Sequence, residues 1–182
     1  YEIVVSLVGS EMCIRDRDNS FDTIISFQVI EHINDDELFI SEIKRILRPG
    51  GMALITTPNI KMTLTRNPWH IREYTSKQLR DLCEKYFSSV EVNGISGNEK
   101  VIKYYNQNLD SVQRFKKLDV FNLEKRLPNF IYKIPYEILN RMNRNNLKKN
   151  DGKLVSSITY KDYELVKDSP TNLDLFLVLR KN

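Results

Sequence analysis

Apolar residues follow two rhythms along this chain. Phe21 to Phe27 is a nearly unbroken apolar run rich in β-branched residues, uncharged after Asp22, as expected of a strand buried on both faces of a parallel sheet. Next, Phe39, Ile43, Ile46 and Leu47 recur at helical spacing behind Asn34 and Asp35, whose side-chain oxygens can cap a first turn. Pro49-Gly50-Gly51 stops this predicted helix and turns the chain, Met52 to Thr57 is a second buried strand, and Pro58-Asn59 ends it. Strand, helix, turn, strand is the repeating unit of a parallel α/β sheet. Ligands of such units sit beyond the carboxyl ends of the strands, which singles out Phe27 to Ile33 and Thr56 to Tyr74.

Further along, Thr75-Ser76-Lys77-Gln78 has the spacing of a capping box, and Leu79, Leu82, Cys83 and Tyr86 form one face of the helix it opens. Val90, Val92 and Ile95 predict a strand ending near Gly94 to Gly97, and Leu173, Leu175, Leu177 and Leu179 alternate with Asp174, Phe176 and Val178 as a last strand. Asn98 to Thr171 lies between them, too long for a turn and too patterned for a linker. It predicts helices over Val101 to Lys117 and Pro135 to Lys149, with breaks at Pro128 and Pro135. Leu154 to Val166 reads as a strand or loop followed by a short helix capped by Thr159.

Ser20-Phe21-Asp22, Glu31-His32, Leu47-Arg48-Pro49-Gly50-Gly51 and Thr57-Pro58-Asn59 stand in an order and spacing more specific than any one of them. Together they resemble the second half of a class I S-adenosylmethionine-dependent methyltransferase of the type 11 family. The resemblance implies an α/β fold: the C-terminal strands of a Rossmann-like methyltransferase sheet, with a mostly helical insertion before the last strand. It divides the chain into core 18–97, a basic helical insertion or cap at 98–171 and a last core strand at 172–182. The two strands flanking the insertion are expected as an antiparallel pair at the sheet edge.

Residues 1–17 are set apart as a non-native segment. Leu7 to Asp16 resembles one reading frame of a sequencing-library adapter, although Ile3, Val4 and Val5 are good strand formers. In the resembling family a glycine-rich loop after the first strand and an acidic residue ending the second hold the cofactor. Neither precedes Asp18, so the chain is expected to be an N-terminally truncated fragment, inactive by itself.

Composition narrows the class. Of two cysteines, Cys13 falls in the set-apart segment and Cys83 on an apolar helix face, which excludes a disulfide framework or thiolate metal site and points to a cytoplasmic protein. No apolar run approaches the length of a membrane span. Net charge is +4, yet Asn98 to Lys153 holds 13 Lys and Arg against 6 Asp and Glu. Such a surplus can attract an anionic partner or serve as a solvated face. Arg141, Arg144, Lys148 and Lys149, its densest run, suit an anionic head group or nucleotide; nucleic acid is disfavoured because no recognised module accompanies them.

Methyl transfer needs an acceptor aligned with an electrophilic methyl, and a base only where the acceptor carries a proton. By position Ser26, Phe27 and Gln28 end the first strand and either face the cofactor, S-adenosylmethionine, or merely finish the strand. Glu31 and His32 are the nearest titratable pair, and either act as catalytic groups or pack beside the following helix. Ubiquinone-pathway relatives use a Glu-x-x-Glu-His run as metal ligands; Gln28 replaces its first carboxylate here, so no metal is expected. Trp69, His70, Arg72 and Tyr74 offer a stacking surface and donors for a small-molecule or glycan acceptor, or else pack their own loop. The alternative function is a non-catalytic binding protein that holds an anionic partner on its basic insertion.

Overall fold

The structure, a computed structural model, describes residues 2–4, 16–118 and 128–182. Six strands form one sheet: β1 (Glu2–Val4), β2 (Phe21–Phe27), β3 (Leu47–Pro58), β4 (Ser89–Gly97), β5 (Tyr163–Lys167) and β6 (Asp174–Arg180). The helices are α1 (Asp36–Ile46), α2 (Ser76–Glu84), α3 (Glu99–Leu118) and α4 (Asn129–Ser157). The strand order is β1-β2-β3-β6-β4-β5, with β1, β2 and β3 parallel and β6 antiparallel to both β3 and β4. The antiparallel pair expected at the edge is therefore internal, because Tyr163–Lys167 adds a strand outside β4.

The chain divides into two compact units: 1–62 with 71–95 and 165–182, and 63–70 with 96–164. In the first, Ile24, Ala53, Ile55, Leu175, Leu177 and Leu179 are buried on one sheet face together with Phe39, Ile40, Ile43 and Ile46 of α1 and Leu79, Leu82 and Cys83 of α2. These residues supply the helical and alternating patterns of the sequence. Asp35 caps α1 by accepting from Leu38 N at 2.9 Å, and Thr75 and Gln78 form the capping box of α2. Burial pushes the Cys83 thiol up to about 12, as suits an inert core residue.

Pro49-Gly50-Gly51 does not leave the sheet as a turn. Phe21 pairs with Leu47 and Thr23 with Met52, so the segment is absorbed as an irregularity inside β3. Gly50 takes φ +79 there, and a Cβ on Gly51 would lie 2.9 Å from the backbone oxygens of both Arg48 and Asp22. Neither oxygen can move without disturbing a strand. Gly51→Ala should therefore cost about 1–3 kcal/mol, read as a lower urea midpoint with an unchanged slope.

The Glu2–Val4 segment, set apart as non-native, pairs with Thr23–Ile25 as a parallel strand, and residues 5–15 of that segment lie outside the described residues. A run of β-branched residues suffices to satisfy the open edge of β2, whatever its origin.

In the second unit the predicted helices are longer than expected. The expected break at Pro135 is instead a proline inside α4, which starts behind Pro128 and changes direction at Asp151. Proline removes one N–H and fixes a φ that a helix already adopts, so flanking turns can carry it through. Between the two helices, Asn143 Nδ2 donates to Asn108 Oδ1 at 2.5 Å and Gln107 Nε2 to Asp151 at 3.3 Å. Leu154 to Ser157 is helix rather than strand or loop, and Thr159 caps a single 3-10 turn, Tyr160–Asp162, before β5. Asp162 accepts from the backbone of Thr159 (2.7 Å) and from Asn98 and Lys100, which hold its carboxyl well below the usual range.

Candidate active site

The carboxyl ends of β2 and β3 meet the start of β6, where Pro58 and Ile95 flank Asp174 in register. Ser26 is buried at the end of β2, and among the described residues its Oγ has no hydrogen-bond partner. Phe27 follows, 54% exposed. Gln28 then adopts φ +55, a left-handed conformation that costs a non-glycine residue energy. Its N–H donates to Thr56 O at 2.9 Å while its side chain bonds Asp174. Strain at this corner is thus coupled to the placement of a carboxyl group.

Glu31 is 1% exposed and accepts from Thr57 Oγ1 at 3.0 Å. Its carbonyl accepts from Ile71 N at 2.7 Å, fastening the loop to the 3-10 turn Ile30–His32. His32 is exposed, with Nε2 3.9 Å from the Glu31 carboxylate. Asp174 is shifted the other way from Asp36 and Asp162: burial, opposed by the Gln28 hydrogen bond and reinforced by the charge of Glu31, pushes its carboxyl up to about 6. In isolation Asp174 is a polar residue of an alternating strand, and that pattern gives it no role. The remaining signal was its position on the strand end opposite Gln28.

The loop residues divide between the units. Arg72 and Tyr74 belong to the first and both engage Asp36 at the start of α1: Tyr74 Oη donates to Asp36 Oδ2 at 2.8 Å and Arg72 Nη1 bonds the same oxygen. Tyr74 is buried, and burial together with the Asp36 charge raises its hydroxyl above its ordinary range. Burial works to raise the Asp36 carboxyl, but the bonds from Tyr74 and Arg72 outweigh it and hold the group below its usual value. Trp69 and His70 belong to the second unit. There Asn67 organises the turn: its Oδ1 accepts from Trp69 N at 3.1 Å and its amide nitrogen lies 2.8 Å from His70 Nε2. The Lys133 ammonium sits 3.6 Å from the centre of the Trp69 ring.

A mixed α/β sheet with helices, and with polar groups gathered at the carboxyl ends of its parallel strands, defines a Rossmann-like class. A methyltransferase domain family profile matches residues 5–55. A probable S-adenosylmethionine-dependent methyltransferase of Mycolicibacterium smegmatis is 42% identical over 80 residues, 41% of this chain and 31% of the relative. Its Mycobacterium tuberculosis namesake is 38% identical over 71 residues, 36% and 26% of the two chains. The chain thus spans less than a third of the length of these two curated relatives. A ubiquinone biosynthesis O-methyltransferase of Brucella ovis is 26% identical over 117 residues, 58% of this chain and 46% of that one. Among solved structures, an S-adenosylmethionine-dependent methyltransferase of Thermotoga maritima, a possible histamine N-methyltransferase, aligns over 97% of this chain and 63% of its own with TM-score 0.55 and 14% identity, a likeness of fold. The first third of the chain is thus similar to S-adenosylmethionine-dependent methyltransferases in sequence, and the chain shares their Rossmann-like fold.

S-adenosylmethionine is the cofactor of that class. The unpartnered Ser26 Oγ and the exposed Phe27 ring at the end of β2 fit one edge of such a ligand. Gly50 and Gly51 lie at the opposite end of β3 from Thr56 and Thr57. No helix among the described residues is long and apolar enough to cross a membrane.

Proposed function

We propose that the chain carries the acceptor side of a methyltransferase that transfers a methyl group to a hydroxyl or amine of a small polar molecule or glycan. The observation that carries this reading is the rim formed by Gln28, Glu31 and Asp174, where strained backbone and a proton-retaining carboxyl group converge where ligands of this fold class bind. The cofactor supplies an electrophilic methyl group on a sulfonium. Ser26, Phe27 and Gln28 hold its near edge through a hydroxyl, a ring face and backbone.

Glu31, anchored by Thr57, fixes the 3-10 turn and with His32 orients the acceptor. Asp174 accepts the acceptor's proton at a carboxylate oxygen and passes it to water; a group of this pKa is ionised at neutral pH yet basic enough for that task. Trp69 and His70, in the second unit, offer a stacking surface and a hydrogen-bonding imidazole set by Asn67. Arg72 and Tyr74, both tied to Asp36, serve by positioning the loop.

In the full-length enzyme, His70→Ala should lower turnover by about tenfold to a hundredfold with little change in cofactor affinity, since it removes an acceptor-side contact. Calorimetric titration with the demethylated cofactor alongside initial rates checks this. Equal loss of cofactor binding would remove His70 from the acceptor side.

A further inference from the structure

The second unit leaves an apolar ridge uncovered. Ile131, Ile134, Ile138 and Met142 succeed one another on α4 at steps of three and four residues and are 43%, 68%, 54% and 48% exposed. At 3.6 residues per turn they share an arc of roughly 80°. Another face of the helix does the packing: Tyr132 and Asn143 are buried, Asn143 reaching α3. Arg141, Arg144 and Lys149 are exposed on the same helix, whose six Lys and Arg stand against Glu137 and Asp151, a net +4. The half-exposed Trp69 ring lies against Lys133 of the first turns of α4, and indole rings favour the head-group level of a bilayer.

Four large aliphatic side chains in a row are costly in water and mark an interaction surface. A second copy docked ridge to ridge across a two-fold axis would bring the flanking cations toward their own counterparts, and that repulsion opposes self-association. An apolar ridge beside a basic flank, on a helix too polar to insert fully, instead complements a lipid head-group layer. We propose that α4 seats on an anionic membrane surface, with Ile131, Ile134, Ile138 and Met142 entering the acyl boundary and Arg141, Arg144 and Lys149 meeting lipid phosphates. This surface role is independent of the methyl-transfer reading.

Flotation of the full chain with phosphatidylcholine vesicles, with and without about one-third phosphatidylglycerol, tests it. Expected is binding to the anionic vesicles only, weakening as salt is added. Arg141→Gln should weaken partition about fivefold. The paired change Ile134→Ser with Ile138→Ser, at positions that face solvent, should weaken it roughly tenfold or more while circular dichroism and thermal midpoint stay unchanged. Absence of binding to either vesicle would overturn the proposal, as would parental binding by the serine variant. So would a concentration-dependent dimer that the same variant abolishes.

Discussion

Asp174→Asn is expected to stabilise the protein at neutral pH and to slow the full-length enzyme about a hundredfold or more. Both effects have one cause. The folded state raises the carboxyl from its ordinary 3.8 to about 6, chiefly through burial and secondarily through Glu31. The native chain therefore binds more protons than the unfolded chain between those two values. The favourable contribution is complete below pH 3.8 and disappears as pH rises through about 6. Above that range the ionised group destabilises the fold by about 1–3 kcal/mol. The amide keeps the shape and a partner for Gln28 but cannot ionise, so the penalty vanishes together with the proton acceptor. Urea denaturation at pH 5 and pH 8 should show the parent losing stability between them and the variant losing less. Carboxyl titration by carbon NMR reads the group directly, without turnover. A variant with unchanged rates would remove Asp174 from the proposed chemistry, while an unshifted titration would remove the physical basis for its role.

The second large effect is expected at Asp36→Ala, about 2–4 kcal/mol of lost stability at pH 7. The substitution strands a buried Tyr74 hydroxyl, whereas Arg72, half exposed, can turn to water, so most of the loss falls on the tyrosine. Tyr74→Phe should cost less, about 1 kcal/mol, because it removes donor and demand together. The pH signature is opposite to that of Asp174. Asp36 is held below 3.8, so its contribution is full above that value and is lost as pH falls through the lower folded value. Denaturation at pH 7 and at acid pH should show the parent's margin over Asp36→Ala shrinking as the pH falls. An equal difference between parent and variant at both pH values would count against a charged Asp36.

Much of the fold was legible because single segments carried it. The β-branched run of β2, the caps at Asp35 and Thr75, the apolar faces of α1 and α2 and the alternating leucines of β6 are local patterns with local causes. What escaped depends on partners distant in sequence. Pro49-Gly50-Gly51 carries an ordinary turn signal, and only pairing with Phe21 and Thr23 keeps it in the sheet. β5 is largely exposed and lacks the alternation that marks a strand. Pro135 is tolerated because its helix packs through other residues, which no local breaker rule registers. At the site, strand-end position is what singles out Ser26 and Gln28 in the sequence, and Glu31 stands out as half of the nearest titratable pair. Asp174 was missed because its pKa depends on Gln28 and Glu31, brought near by the sheet. Tyr74 and Arg72 were read as donors without knowledge that Asp36 engages them.

The brief pairing of Glu2–Val4 with Thr23–Ile25 bears on handling this polypeptide. Without those opening residues, the outermost amides and carbonyls of Phe21–Phe27 would become a ladder seeking any extended neighbour. Shortened versions should then be prone to clumping through strand addition, and an unrelated leader rich in isoleucine and valine could keep them dispersed as well as a native one.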